Sequence, residues 1–179
     1  METKLKLDFN SINIVGERIS LSPISLDYID DIFREFTNEI TRYMFPSPPT
    51  EISQVISFIE LSRQGMRKKH DLVFVIREIS TGEFLGVCGM HGKTTPKTPE
   101  LGIWLKKSAH FQHYGREAIY YLVEWVREKI IFTYLLYPVD RDNIPSRKIA
   151  EYLDGKIIHR GIKKSMSGSL LNEVVYKIS

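Results

Sequence analysis

Three short stretches of this chain carry the residue types that chemistry needs. The first is His110-Phe111-Gln112-His113-Tyr114-Gly115-Arg116-Glu117-Ala118, set between an apolar run, Leu101 to Leu105, and a segment whose apolar residues return at helical spacing. A strand that turns abruptly into a helix leaves a row of unbonded backbone N–H groups, backed by the positive end of the helix dipole. Such a row is a site for a phosphate group. The second stretch is Asp142-Asn143-Ile144-Pro145-Ser146, where Asn143 can cap a helix, Pro145 fits its first turn, and Ser146 contributes a hydroxyl. The third is Glu100, a carboxylate opening the apolar strand, which by itself reads as a solvated charge at a strand end.

Other reactive side chains are read more plainly. His110 and His113 stand three apart, but only His91 is near enough in sequence to join them. No Cys/His cluster completes a ligand set, so no metal is expected. Glu117 lies in the first helical turn, where a carboxylate favours the dipole, and is read as structural. The single cysteine, Cys88, sits in an apolar strand and is expected to be buried and inert; alone it excludes an internal disulfide and fits a reducing compartment. Tyr43, Phe45, Trp104, Tyr134 and Tyr137 could line a binding pocket, with core packing the default for each.

The elements that must position these groups follow from periodicity and turn chemistry. Residues 17 to 22 alternate as a half-buried strand. Leu26 to Phe36 has helical spacing, with Ser25 as N-cap and Ile29, Ile32, Phe33 and Phe36 on one face. Phe45-Pro46-Ser47-Pro48-Pro49 must be a loop. A second helix is predicted over 51–66, with Ile52, Val55, Ile56 and Ile59 as its buried stripe. Strands over 71–79 and 84–91 flank a hairpin turn at Ser80-Thr81-Gly82-Glu83, and a loop over 92–99 leads to the strand 100–105. Ala118, Ile119, Leu122, Trp125, Val126 and Ile130 predict a helix over 115–130. A buried strand over 131–139 follows, then a short helix over 143–153 closed by Gly155, and strands near 156–164 and 170–178. Pro138 cannot donate to a ladder and predicts a bulge in its strand. The order of elements requires an α+β (mixed α/β) domain with a mixed sheet, and no second domain or repeat is visible. The first 16 residues read as an extension or an extra strand.

Bulk properties narrow the class. A chain of 179 residues with 42% hydrophobic and 26% charged residues is ordinary for one soluble domain. A net charge of +3 suits an anionic small ligand but is too small to argue for nucleic acid, despite the run Arg67-Lys68-Lys69. The first eight residues alternate charge and apolarity instead of forming a signal core, and the apolar run from Ile130 to Val139 is about half the length that spans a bilayer. A cytoplasmic protein with no nucleic-acid and no membrane partner is expected.

The order of elements, Glu100-Leu-Gly-Ile-Trp-Leu105, Tyr114-Gly-Arg-Glu-Ala118 and Asn143-Ile-Pro-Ser146 together resemble the GNAT superfamily of acetyl-CoA-dependent N-acetyltransferases. The likeness is strongest to its ribosomal-protein N-terminal acetyltransferase branch and runs from Glu17 to Ile178. It implies a GNAT fold with a mostly antiparallel, centrally splayed sheet flanked by helices. It implies acetyl-CoA as co-substrate, an amine acceptor and a monomer or homodimer. Ile103, Trp104 and Leu105 would lie along the pantetheine arm, with a backbone N–H near Trp104 and Leu105 polarising the thioester carbonyl. His110, Phe111, Gln112, His113, Tyr114, Gly115 and Arg116 would wrap the pyrophosphate. The family loop carries glycine where this chain has His113, and only Gly115 matches. Asn143 would bond the pantetheine arm. Ser146 would face the sulfur, standing in for the tyrosine many members carry where this chain has Ala150. Glu100 would act as base, and Tyr43, Phe45 and Tyr137 would contact the acceptor. The alternative implied by the altered loop is a non-catalytic acyl-CoA-binding or regulatory module.

Overall fold

The computed structural model describes residues 1–4 and 7–179. In chain order the elements are β1 (Glu2–Thr3), β2 (Ile14–Val15), β3 (Ile19–Pro23), α1 (Ile29–Glu35), α2 (Asn38–Thr41), α3 (Ile52–Arg67), β4 (Asp71–Glu78), β5 (Phe84–His91) and β6 (Glu100–Leu105). They continue with α4 (Tyr114–Lys129), β7 (Ile130–Ile131), β8 (Leu135–Asp140), α5 (Ile144–Tyr152), β9 (Lys156–Lys164) and β10 (Leu170–Ile178). The main sheet has the order β2-β3-β4-β5-β6-β8-β10-β9. Every neighbouring pair in it is antiparallel except β6 and β8, which run parallel because α4 crosses over between them.

The sheet is covered on both faces. All residues of β5 from Phe84 to Met90 are buried, as are Leu72 to Ile76 of β4. Such continuous burial is what helices on both sides of a central strand produce. On one face α4 presses Ala118, Ile119, Leu122, Val123 and Val126 into the core. Ile103 and Leu105 of β6 point to that side, toward Gly115. Trp104 points to the other, where its ring stacks at 4.8 Å on Phe36, the residue ending α1, and at 5.7 Å on Phe84.

Several expectations need correction. The apolar run after α4 is not one strand. Ile130–Ile131 forms β7 and leaves the main sheet to pair with β1, and β8 begins only at Leu135. An unbroken apolar run carries no period that marks such a break. The first 16 residues supply β1 and β2; Leu5 and Lys6 lie outside the described residues. On α3 the buried stripe is Val55, Ile59, Ser62 and Met66, and Ile52 is 46% exposed. The segment 26–28 is a 3-10 turn before α1; Ser25 bonds the Asp27 carboxylate in place of the helix amides, and Phe33 is exposed. Asp154, with φ 57°, takes the left-handed position after α5, and Gly155 donates its N–H to Ala150. No bulge lies in β8, which pairs in continuous register with β10 from Leu135 to Asp140.

Candidate active site

The central strands β6 and β8 share a single rung, Glu100 opposite Leu136. The Leu136 amide donates to Pro99 O at 2.9 Å, and past that rung the two strands separate. Side-chain and backbone directions alternate along a strand, so which groups face the gap is fixed. On β6, the Lys106 amide donates to Leu85 O on the β5 side at 2.8 Å. Trp104 and Gly102 therefore direct their backbone groups to β5, and Ile103 and Leu105 direct theirs to the gap. On β8, the Arg141 amide donates to Asn172 O of the β10 side, so residue 138 faces the gap, as Leu136 does. The missing N–H of Pro138 thus falls where no strand partner exists, which explains a proline in a central strand without a bulge. Trp104 is accordingly corrected: neither its ring nor its backbone faces the gap, and Ile103 and Leu105 are the groups there.

The turn after β6 is shaped by two non-glycine residues in the left-handed region, Phe111 (φ 62°) and His113 (φ 65°). The His110 ring nitrogen Nε2 bonds Leu105 O at 3.0 Å, tying the turn back to the strand. His110 therefore occupies the Leu105 carbonyl, and among the described residues the Leu105 and Ile103 amides have no partner on β8, whose pairing with β6 ends at Glu100 and Leu136. Among the described residues, none of the backbone amides from Phe111 to Arg116 donates to a protein acceptor. These amides open a helix of 16 residues. A Cβ on Gly115 would come within 3.2 Å of Ile149 and 3.3 Å of Leu105, so glycine lets the helix start sit close against β6 and α5.

A long-range brace holds this turn. The Glu117 carboxylate accepts the Arg18 backbone amide at 2.8 Å and the Arg18 guanidinium at 2.8 and 2.9 Å. Arg18 also donates to Gln112 O at 3.1 Å and lies over the Tyr114 ring, whose hydroxyl donates to Glu78 at 2.5 Å. That bond is the first cause of the raised Tyr114 and lowered Glu78 pKa values, with burial adding to the first and opposing the second. Sequence reasoning missed Arg18, since nothing in one sequence ties a residue near β3 to a helix start.

Across the gap, the Tyr137 and Ser146 hydroxyls are 2.9 Å apart, and the Ser146 amide donates to the Asn143 carboxamide at 3.3 Å. Burial pushes the Tyr137 phenol up to about 12, against the opposing pull of its Ser146 hydrogen bond. Burial likewise pushes the Cys88 thiol up. Tyr137 thus stands beside Asn143 and Ser146 and lines the same cleft as Tyr43 and Phe45.

A cleft of about 800 Å³ runs from Tyr137 and Ser146 past Glu100 to the proline-rich loop, where Tyr43, Phe45, Phe36 and Phe58 give it an apolar wall. The loop is fixed to the β9–β10 turn by the Met166 amide, which donates to Phe45 O at 2.8 Å, while Lys163 lies over the Phe45 ring. Glu100 is exposed at the opening of β6. His91 is directly opposite it on β5, and Asp71 of β4 lies opposite His91, with 3.7 Å between Asp71 Oδ1 and His91 Nδ1. His91 and Asp71 were not among the sequence-derived site residues.

The sequence profile described as acetyltransferase (GNAT) domain matches residues 18–156. No curated protein matches the chain in sequence. Solved structures share the fold. Mycobacterium smegmatis RimJ in complex with CoA-disulfide has a TM-score of 0.81 at 15% identity, over 99% of this chain and 90% of that one. RimL, a ribosomal L7/L12 alpha-N-protein acetyltransferase, gives 0.80 at 13%, over 93% of each chain. The Microcin C7 self-immunity acetyltransferase MccE, in complex with acetyl-CoA and AMP, gives 0.76 at 19%, over 90% of this chain and 92% of that one. Among the described residues no helix is long and apolar enough to cross a membrane.

Proposed function

Because the chain belongs to the acetyltransferase (GNAT) domain family, an acyltransferase family that uses acetyl-CoA, we propose that it moves an acetyl group from acetyl-CoA to a primary amine by direct attack in a ternary complex. The observation that carries this reading is the gap between β6 and β8, which opens on one side toward the unclaimed amides of 111–116 and on the other into the apolar cleft. A thioester entering from the first side and an amine from the second would meet between the strands.

Each group then has a physical task. The amides from Phe111 to Arg116 hold a diphosphate against the helix dipole. The gap-facing amides of Ile103 and Leu105 are preorganised donors for the carbonyl oxygen as negative charge develops on it. The hydroxyls of Ser146 and Tyr137 lead a proton to the departing sulfur. Holding both substrates in one cleft removes much of the entropic cost of their encounter.

The acceptor reading is an amine carried on an apolar or peptide body. The cleft wall formed by Phe36, Tyr43, Phe45 and Phe58 suits apolar contact. Titration favours an α-amine: about one in seven is neutral at pH 7, against about one in 2,500 lysine amines. A cytoplasmic site of action completes the proposal.

The test is thiol release from acetyl-CoA with a panel of short peptides, polyamines and aminoglycosides. Peptide α-amines are expected to turn over fastest. Acetyl-CoA that gives neither heat of binding nor a rise in Tm overturns the proposal. The second reading, a non-catalytic acyl-CoA-binding module, draws on the non-glycine residues Phe111 and His113 in the left-handed turn. Tight acetyl-CoA binding with zero turnover across the panel would establish it.

A further inference from the structure

Three neighbouring strands place Asp71, His91 and Glu100 in one transverse row: Asp71 is opposite His91 across β4 and β5, and His91 is opposite Glu100 across β5 and β6. Directly opposed side chains share a face and interact. That face is the one bearing Trp104, and the row ends at Glu100, the single rung where β6 and β8 still touch before they part. Resting on the transferase reading above, we propose that His91 is the catalytic proton acceptor for the attacking amine and that Asp71 is its positioning residue.

Room for the ring is built into the strands. A Cβ on Gly89 would lie 3.4 Å from His91 Nε2, and one on Gly102 would lie 3.8 Å from it, so the imidazole lies over two glycines on the cleft floor. A Cβ at either position would make ordinary van der Waals contact with the ring, so the imidazole rests directly on this floor. Nε2 lies over Gly89 and Gly102, the latter immediately before the gap-facing Ile103 amide. Nδ1 is turned the other way, toward Asp71. The Nδ1–Oδ1 separation of 3.7 Å is an ion-pair distance longer than a hydrogen bond.

Asp71 is itself fixed. It accepts the Gly92 amide at 3.3 Å, and a Cβ on Gly65 of α3 would come within 2.3 Å of its carboxylate. Burial would raise the Asp71 carboxyl, yet the neighbouring His91, the Gly92 amide and His70 together hold it below the usual range. A fixed anion beside Nδ1 favours the tautomer with hydrogen on Nδ1, leaving the Nε2 lone pair facing the cleft. The other ionisable groups around the ring are Glu100 from β6 and His70 beside Asp71, with Glu173, Asp140, Lys163, Tyr43 and Tyr137 lining the rest of the cleft. In general an imidazole is a better matched proton acceptor at working pH than a carboxylate.

The step balances as follows. His91 Nε2 takes one proton from the ammonium, and the freed nitrogen lone pair forms the C–N bond at the thioester carbonyl. The C–S bond breaks with its electron pair on sulfur. The second nitrogen proton leaves as the amide forms, and its equivalent is the proton delivered to sulfur through Ser146 and Tyr137. The proton on His91 passes to solvent.

The test measures kcat/KM against pH at saturating acetyl-CoA, with the best amine of the panel, for wild type, H91Q, D71N and E100Q. Acetyl-CoA affinity is measured in parallel by calorimetry. His91→Gln is expected to lose about 10²-fold at pH 7 and to replace the acidic limb by that of the amine itself, with unchanged acetyl-CoA affinity. Asp71→Asn is expected to lose less and to weaken the preference for the Nδ1–H tautomer, since the anion beside Nδ1 is gone. Imidazole nitrogen shifts are expected to show the Nδ1–H tautomer in wild type, a readout that stands even if H91Q fails to fold. A loss below about tenfold in H91Q with an unmoved limb, a loss confined to E100Q, or the opposite tautomer overturns the assignment while leaving the transferase reading intact. Wild type that binds no acetyl-CoA, or turns over no amine, overturns that reading instead.

Discussion

The hydroxyl of Tyr137 on β8 and the hydroxyl of Ser146 on α5 stand 2.9 Å apart at the edge of the gap between β6 and β8. Tyr137 is 2% exposed. Two hydroxyls in contact can pass a proton between them while neither is ionised. One turn further along α5, Ala150 stands fully buried in the core and offers no hydroxyl.

Removing either hydroxyl should slow turnover without weakening acetyl-CoA binding. Tyr137→Phe and Ser146→Ala are each expected to lower kcat about tenfold or more, with a double variant no slower than the worse single one, because the two act as one path. Steady-state kinetics on the four proteins checks this. Additive losses would show that the hydroxyls act separately.

The raised Tyr137 phenol also makes an equilibrium prediction. In the unfolded chain a tyrosine titrates near pH 10, and in the fold Tyr137 holds its proton up to about 12. Between these values the folded state binds more protons, so the stabilisation present below pH about 10 is lost as pH rises toward about 12, by about 2–3 kcal/mol. The buried Cys88 thiol acts in the same direction and remains in the variant. Urea unfolding at pH 9 and pH 11 should therefore show a smaller alkaline loss for Tyr137→Phe than for wild type.

The brace between Arg18 and Glu117 should be felt in cofactor affinity. The Glu117 side chain is 11% exposed and takes three bonds from Arg18. Glu117→Gln or Arg18→Ala frees the Gln112 carbonyl and the turn above it. The expected result is an acetyl-CoA KM raised about fivefold to tenfold, with kcat within about twofold, since a positioning loss of about 1 kcal/mol falls on binding. Kinetics with varied acetyl-CoA checks this; an unchanged KM would make the brace purely structural.

His113 holds φ at 65°, a region that costs a β-branched residue more than it costs histidine and costs glycine nothing. His113→Val is expected to lose about 1–3 kcal/mol of stability together with acetyl-CoA affinity, and His113→Gly is expected to retain both within about 1 kcal/mol. Denaturation curves and calorimetry decide it. Equal behaviour of the two variants would mean that the imidazole, and not the backbone, matters there.

Gly86 marks the close approach of β5 and β6, where a Cβ would stand 2.2 Å from Trp104 O. Gly86→Ala must push the strands apart at backbone level, so it is expected to cost more than about 2 kcal/mol. The Trp104 stacking on Phe36 and Phe84 should loosen with it, visible as a red-shifted tryptophan emission. A fully stable variant with unshifted emission would contradict the register.

The amino-acid order alone determined the elements whose period is strong. Helices α3, α4 and α5, the β4–β5 hairpin with Gly82 at φ 74°, and the last two strands all follow from apolar spacing and turn residues a few positions apart. So does the turn into α4, because a strand, a polar break and an amphipathic helix are local facts, and these suffice for the GNAT resemblance. Tertiary structure decided the rest. The break between Ile131 and Leu135 depends on β1 claiming β7, and the parting of β6 from β8 depends on α4 and the neighbouring strands. Arg18 with Glu117, Asp71 with His91, and Tyr137 with Ser146 come from different elements. Periodicity reports which face a side chain takes within its own element. Which side chain from another element stands opposite is set by strand order and register, and those emerge only when the whole sheet buries both of its faces at once.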